Sequence, residues 1–515
     1  MSLAYWTLAL CLAQAETEPP PEPEAESTPA APAKEEGAKV PDLVEQGPDK
    51  ALVGRAAASP EVFAKGLEAF YSDDWTEAAA RMFDYVDTND ESVENRAWAK
   101  YFLGISLEQL GYTHAAAEHL FDVIDQATAP ELLPDALLAV ERLMAGPHDE
   151  TLLDERLIVE TDFGYLPPSV AGFVRYHQGL ADLRADRNRW AERLLLSLPP
   201  DSVYDAKAEY ALGVERLKRD RVDEAVKWLR SALAHPAADR TTRNDARLAL
   251  ARILYERRRY DAAEAMYLRV EVPPLTAAEG RVLLERAWTA YWMGDDRQAM
   301  GRIHALEAPS YRDLHAPEKM LLRALIYQRS CHYIPAKREV RRFRFAYGPT
   351  LDNIRRRIDL REDATLRRAA LSESPQLRRL VEFRRVLEAE ARRIDDGGSS
   401  WREVGLDESL REIYRLAAAR ADLELDAELA EQTRARAEEL VAFEEQMYLL
   451  DYEVGLAIYA RLSEEDARRG TRERIEIPPD GPEAFYPFVG EFWNDELASY
   501  DFLIESRCFD EGGTP

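Results

Sequence analysis

The sequence predicts an all-α fold: a solenoid of helical hairpins, then a long charged helical hairpin, then an aromatic C-terminal cap. Three observations lead there. A small residue on one helical pattern is followed, after a turn, by a small and a large residue at i and i+4 on the next. Prolines at Pro130, Pro134, Pro167, Pro168, Pro199, Pro200, Pro236, Pro273, Pro274, Pro309 and Pro317 fall between helical patterns, where proline ends one helix or begins another. Nothing reads as a sheet.

The chain begins MSLAYWTLALCLAQA, whose apolar run from Leu3 to Ala13 is too short to span a bilayer and fits the core of a signal peptide. Ala13-Gln14-Ala15 supplies an A-x-A cleavage pattern, so residues 1–15 are expected to direct export to the periplasm. No Lys or Arg precedes the apolar run, which leaves the amino terminus as its only positive charge. Leu8-Ala9-Leu10-Cys11 resembles a lipoprotein box, but bulky Leu10 stands where a small residue is needed, which argues against lipid anchoring. Residues 16–50 are rich in Pro, Glu and Ala and read as a disordered linker, because proline interrupts hydrogen-bonded structure and carboxylates repel. No later stretch carries the roughly eighteen uninterrupted apolar residues of a transmembrane helix.

Residues 51–348 hold about seven candidate hairpins. The clearest read Gly66, Ala69, Trp75, Ala78, Met82; then Gly104, Leu107, Gly111, Ala116, Leu120; then Gly213, Arg216, Val222, Ala225, Leu229. Weaker copies pair Gly179 with Ala191 and Leu195, Ala251 with Tyr260, Ala263 and Tyr267, Ala287 with Gly294, Ala299 and Ile303, and Ala324 with Tyr333, Ala336 and Val340. A small residue on each helix lets two backbones approach, and large residues fill the holes between successive pairs. These offsets resemble the tetratricopeptide repeat (TPR), so the resemblance implies a TPR-like α-solenoid whose hairpins persist only by stacking. Such arrays bind an extended peptide or helix along their inner face, for which Tyr101, Tyr210, Arg247 and Trp288 are candidate partner-binding residues.

Residues 349–475 read as the charged hairpin. Leu380, Phe383, Leu387 and Ile394 mark one helix, Asp395 to Ser400 a turn with Ser399 or Ser400 as a cap, and Leu416, Leu423, Ala430 and Ala437 a seven-residue seam on a second. The 515-residue chain carries 67 basic and 96 acidic residues, a formal charge of -29, which argues against a general nucleic-acid binder. Its arginines cluster, with pairs at Arg341-Arg342, Arg356-Arg357, Arg367-Arg368, Arg378-Arg379, Arg384-Arg385 and Arg392-Arg393. The Arg-rich segment 337–394 either faces the acidic 404–446 within the chain or contacts an outside anion, such as a cell-wall polymer.

The segment 476–515 is dense in aromatics: Phe485, Tyr486, Phe488, Phe492, Trp493, Tyr500 and Phe502. It must cover the helices or meet a partner, with Tyr486, Phe488, Phe492, Trp493 and Tyr500 as the packing candidates. The run Tyr486-Pro487-Phe488-Val489-Gly490-Glu491-Phe492-Trp493-Asn494-Asp495-Glu496-Leu497, with Tyr500, resembles the W-P-F-x-G-E-x-W-x-D-E-L-x-x-Y ending of exported TPR proteins of myxobacteria and their relatives. Tyr486 stands where that pattern has Trp, and Phe492 at its variable aromatic-flanking position. The resemblance implies a periplasmic helical-repeat protein, and some of that group are linked to gliding motility and other envelope machines.

No phosphate-binding loop, dinucleotide fingerprint, nucleophile elbow or HExxH zinc motif occurs. His114 and Glu118 share a helical face, but His119 points away, so no metal site is expected. Adjacent Cys331 and His332 would diverge on a helix, which gives no nucleophile pair. Cys331 and Cys508 remain after signal removal and can pair in an oxidising compartment, although spacing leaves open whether they come within reach. The expectation is a non-catalytic scaffold or adaptor in the bacterial envelope, without cofactor, binding protein partners. A peptidoglycan-associated enzyme or regulator and a cytoplasmic co-chaperone-type TPR protein are the alternatives.

Overall fold

A computed structural model describes residues 59–508, apart from 91–94, 127–128, 150–151, 154–155, 158–165, 201, 313, 466–487 and 489. The expected signal peptide, the linker and Tyr486 lie outside the described residues. Those that are described form helices and connecting turns, with no strand among them. They divide into two compact units, one of 59–218 with 379–426, the other of 219–378 with 427–508.

In the first unit, α1 (Pro60–Tyr71) packs on α2 (Trp75–Thr88), and α3 (Arg96–Gln109) on α4 (Thr113–Gln126). Then α5 (Leu133–Leu143) packs on α4, and α6 (Pro168–Arg184) on α7 (Asn188–Leu195) and α8 (Val203–Lys218). The small–large pairing explains the close approach. A Cβ on Gly66 would lie 2.9 Å from the Met82 side chain, one on Gly104 2.9 Å from Leu120, and one on Gly179 2.6 Å from Leu195. The same unit contains part of α17 (Pro375–Arg392), the short α18 (Gly398–Val404) and the start of α19 (Leu406–Glu465). Phe383, Leu387, Ile394, Trp401, Leu406, Leu410, Ile413, Tyr414, Ala417 and Ala421 share one apolar core with α2 to α6. Glu390 closes the N-terminus of α4, and the Trp401 indole donates to Thr76 O at 3.0 Å.

In the second unit, α9 (Val222–Ala234) packs on α10 (Arg240–Glu256), and α10 on α11 (Tyr260–Tyr267). Likewise α12 (Ala277–Met293) packs on α13 (Asp296–Ala305), and α14 (Glu318–Arg329) on α15 (Tyr333–Arg355). Ala287, Ala299, Ile303, Ala324, Ala336 and Val340, all repeat positions, are buried in one core. Leu440, Phe443, Met447, Leu450 and Val454 of α19 complete that core. Short α16 (Ala364–Glu373) follows α15.

The turns between paired helices share one backbone solution. Asp73, Gly111, Asp186, Asp220, Arg258, Gly294 and Cys331 are left-handed, with φ of 55 to 84°, and from Asp186 onward they stand 34 to 38 residues apart. The residue after the left-handed one donates its N–H five residues back: Asp74 to Ala69, Tyr112 to Leu107, Arg187 to Asp182, Arg259 to Leu254, Asp295 to Ala290 and His332 to Tyr327, at 2.7 to 3.0 Å. This is the Schellman closure, which satisfies the last carbonyls of the first helix while reversing the chain.

Three expectations need correction. The solenoid boundary at 348 falls inside α15, which continues through Pro349 to Arg355. Pro349 is exposed, so the ladder hydrogen bond it cannot make to Phe345 is lost on the solvent side of the helix, where the carbonyl is open to hydration. Residues 395–400 are not a simple turn capped by serine. A 3-10 turn (Ile394–Gly397) runs into α18, which has no side-chain cap, and left-handed Gly405 separates α18 from α19. The seven-residue seam is only partly the buried face of α19. Ala437 is buried and Leu416 half-buried, but Leu423 and Ala430 are exposed, whereas Leu406, Leu410, Ile413, Tyr414, Ala417 and Ala421 are buried.

Candidate interaction surface

The four groove candidates divide between the units. Tyr101 is half-buried on α3 beside Phe102, their ring centroids 5.6 Å apart, and burial raises its phenol pKa. Tyr210 is half-buried on α8. Arg247 on α10 is tied down, donating to Asn244 Oδ1 at 3.1 Å and Glu271 Oε1 at 3.3 Å. Trp288 on α12 is 6 % exposed and belongs to the core, edge-on to Tyr291.

The aromatic tail packs on α13. His304 is surrounded by the rings of Phe488, Phe492, Tyr500 and Phe502, with centroids 4.5 to 6.4 Å away. Gly301 permits this approach, because a Cβ there would sit 1.7 Å from the Tyr500 carbonyl oxygen. The Phe502 N–H donates to Arg297 O at 3.1 Å and the Arg507 N–H to Ser330 O at 2.9 Å. Leu497 is buried, and Tyr500 Oη accepts from the Trp493 N–H at 2.8 Å while Trp493 stays 42 % exposed. Cys331 and Cys508 form a disulfide, Cα to Cα 5.1 Å, that joins the tail to the α14–α15 turn. Arg461 of α19 donates to both Cys331 O and Arg507 O, at 3.1 and 2.7 Å.

Several arginines of 337–394 meet carboxylates of the acidic helix within their own unit. Arg384 pairs with Asp422 at 2.7 Å in the first; Arg355 pairs with Glu444 at 2.5 Å and Arg344 with Asp451 at 3.1 Å in the second. Lys337 also reaches Asp451, at 3.2 Å. These partly exposed pairs contribute little stability individually but set orientation.

A deeper ionic cluster lies in the second unit. Glu373 accepts from Arg281 at 2.6 Å and from Arg436, and Arg252 grips Glu285 with two bonds of 3.1 and 2.7 Å. Burial opposes ionisation of Glu373 and Glu285, but the adjoining guanidiniums outweigh it and hold both below the usual carboxylate range. Burial raises Glu318 to about 7, and it also raises Glu439 against the pull of Arg436. His315 beside them is lowered to about 4 by burial. Fixed ion pairs among buried carboxylates and guanidiniums make this a structural network.

His114 and His119 on α4 are buried and held neutral, each lowered to about 4 mainly by desolvation. Among the described residues no group of three or more His, Cys, Asp and Glu side chains is arranged to hold a metal ion. No described helix is long and apolar enough to cross a membrane.

One surface escaped sequence reasoning. On α19, Tyr448, Leu449, Tyr452, Leu456 and Tyr459 are all exposed, Tyr459 at 77 %. At 100° per residue they occupy one face, roughly opposite the buried Phe443, Met447, Leu450 and Val454. The signal was there, in apolar residues too numerous for one stripe, but a helix apolar on two sides reads as a fully buried helix. No protein-family model matches the chain, and a search of curated proteins finds no match either.

Proposed function

We propose that the protein is a non-catalytic scaffold, a TPR-like helical array that holds protein partners within a bacterial cell-envelope assembly. The observation that carries this reading is the second apolar face of α19. Aromatic and aliphatic side chains left in water beside a well-packed core are costly unless another surface covers them. Tyrosine is also enriched among the residues that dominate binding energy at interfaces. The left-handed turns, spaced 34 to 38 residues apart from Asp186 onward, with glycines seated on a methionine or leucine of the paired helix, support the TPR-like description. The Cys331–Cys508 disulfide supports an oxidising compartment over the cytoplasmic alternative.

Cross-linking mass spectrometry of the full chain in its native cells tests the reading. Cross-links from 448–459 to another protein are expected, together with a mature N-terminus at Glu16. Cross-links confined to the chain itself would overturn the scaffold reading, and an unprocessed N-terminus would overturn the exported location.

A further inference from the structure

The exposed face of α19 does not stand alone. Lys337, Arg344 and Arg355 of α15 reach Asp451, Asp451 and Glu444 of α19, so ascending numbers on one helix meet descending numbers on the other and the two run antiparallel. Turning round each helix from those contacts brings out Ile334, Arg338, Arg341 and Phe345 on α15 and the tyrosine face on α19, both toward the same open side. The register of the ion pairs sets Phe345 near the level of Tyr448, Arg341 near Tyr452 and Ile334 near Tyr459. Phe345 is 89 % exposed, the most exposed large apolar side chain among the described residues, and Ile334 is also exposed. Arg338 and Arg341 are exposed, and among the described residues neither forms an ion pair. Glu445 is the one carboxylate standing within the tyrosine face.

We infer that this joint face of α15 and α19 seats an acidic amphipathic helix of a partner protein. Two antiparallel helices form a shallow groove, and a third helix packs into it through residues at i, i+4 and i+7. Phe345, Tyr448, Tyr452 and Leu456 supply the apolar floor. Arg338 and Arg341 supply charge that a glutamate or aspartate on the flank of the incoming helix neutralises, with forked donors suited to a carboxylate. A second copy of the same face is disfavoured, because a two-fold pairing brings Arg338 and Arg341 of both copies together with only Glu445 of each face to compensate them. The inference rests on the scaffold reading and names the partner's chemistry.

The test uses the full chain and two dye-labelled synthetic helical peptides of identical leucine pattern, one flanked by Glu and the other by Lys. Fluorescence anisotropy should show the Glu-flanked peptide binding at least tenfold more tightly, with the preference reversed by R338E/R341E and binding lost in Y452E. Unchanged far-ultraviolet dichroism and melting would show that the variants fold, and the charge reversal remains decisive if Y452E does not. Equal affinity for both peptides, or binding unaffected by the substitutions, overturns the site but leaves the scaffold reading to its own cross-linking test. A dimer in sedimentation that Y452E dissociates, or peptidoglycan pelleting that R338E/R341E abolishes, also overturns it and reassigns the face.

Discussion

Glu390 and Thr113, far apart in the chain, meet at the start of helix α4. The carboxylate accepts from the Thr113 N–H at 3.0 Å and from its hydroxyl at 2.6 Å, with the His114 N–H at 3.3 Å and the Tyr414 hydroxyl at 2.5 Å completing its shell. A buried anion thus satisfies helix-terminal donors that would otherwise lack partners, at the positive end of the helix dipole. Glu390→Ala strands those donors and is expected to cost about 3 kcal/mol of stability, with Glu390→Gln losing less. Urea unfolding of the full chain checks this; a loss below about 0.5 kcal/mol would show that the cap is dispensable.

Gly179 meets Leu195 more closely than any side chain allows. Gly179→Ala gains up to about 1 kcal/mol in helix propensity but imposes about 1 to 3 kcal/mol of overpacking, for a net loss. Adding Leu195→Ala should relieve the clash, so the double mutant loses less than the two single losses combined. Additive losses in a thermal double-mutant cycle would mean the two residues do not touch.

Gly301 faces the Tyr500 backbone rather than a flexible side chain, so a methyl group there must push the tail away. In Gly301→Ala the Phe502 amide, which donates to Arg297 O, should exchange its hydrogen faster by on the order of tenfold. Unaltered exchange would show that α13 yields instead of the tail.

Removing the Cys331–Cys508 bond by changing both residues to serine should cost about 2 to 4 kcal/mol, because the long loop it closes gains freedom when unfolded. Non-reducing peptide mapping against reduced controls establishes the bond, and equal stability of the variant would show that hydrogen bonds alone hold the tail.

Acid should unfold the protein through its buried histidines. His119 and His315 titrate normally near 6.5 when unfolded but near 4 when folded. The unfolded state therefore binds more protons between those values, and stability is present above pH 6.5 and lost as pH falls toward 4. Imidazole carbon resonances should stay neutral at pH 5.5; a midpoint at or above 6.5 for either residue would contradict the burial argument.

Small–large seats such as Gly66 on Met82 and Gly104 on Leu120 were legible because they are local, a small residue and its large partner separated by one turn and part of a helix. Phe383, Leu387 and Ile394 were legible as apolar positions, yet their destination was not. Heptad spacing suggests helices that face each other, whereas these side chains join the core built by α2 to α6. Periodicity states which face is apolar and is silent about which distant surface covers it. Trp401 was missed for a similar reason. The Asp395 to Ser400 stretch has turn composition, but Gly397 is needed beside the indole, where a Cβ would lie 2.0 Å from the ring.

The left-handed turns bear on how the tail can be clasped. The series Asp73, Gly111, Asp186, Asp220, Arg258, Gly294 and Cys331 shows that the bend asks for a backbone conformation and accepts acid, base, hydrogen or thiol upon it. A non-glycine residue there carries a cost of about 1 kcal/mol, which the array already bears at most of these bends. A cysteine placed at such a bend interrupts no packed seam, so Cys331 fastens the tail through Cys508 without disturbing the helix pairing. The remaining bends are ready-made mounting points for a tether or a spectroscopic label.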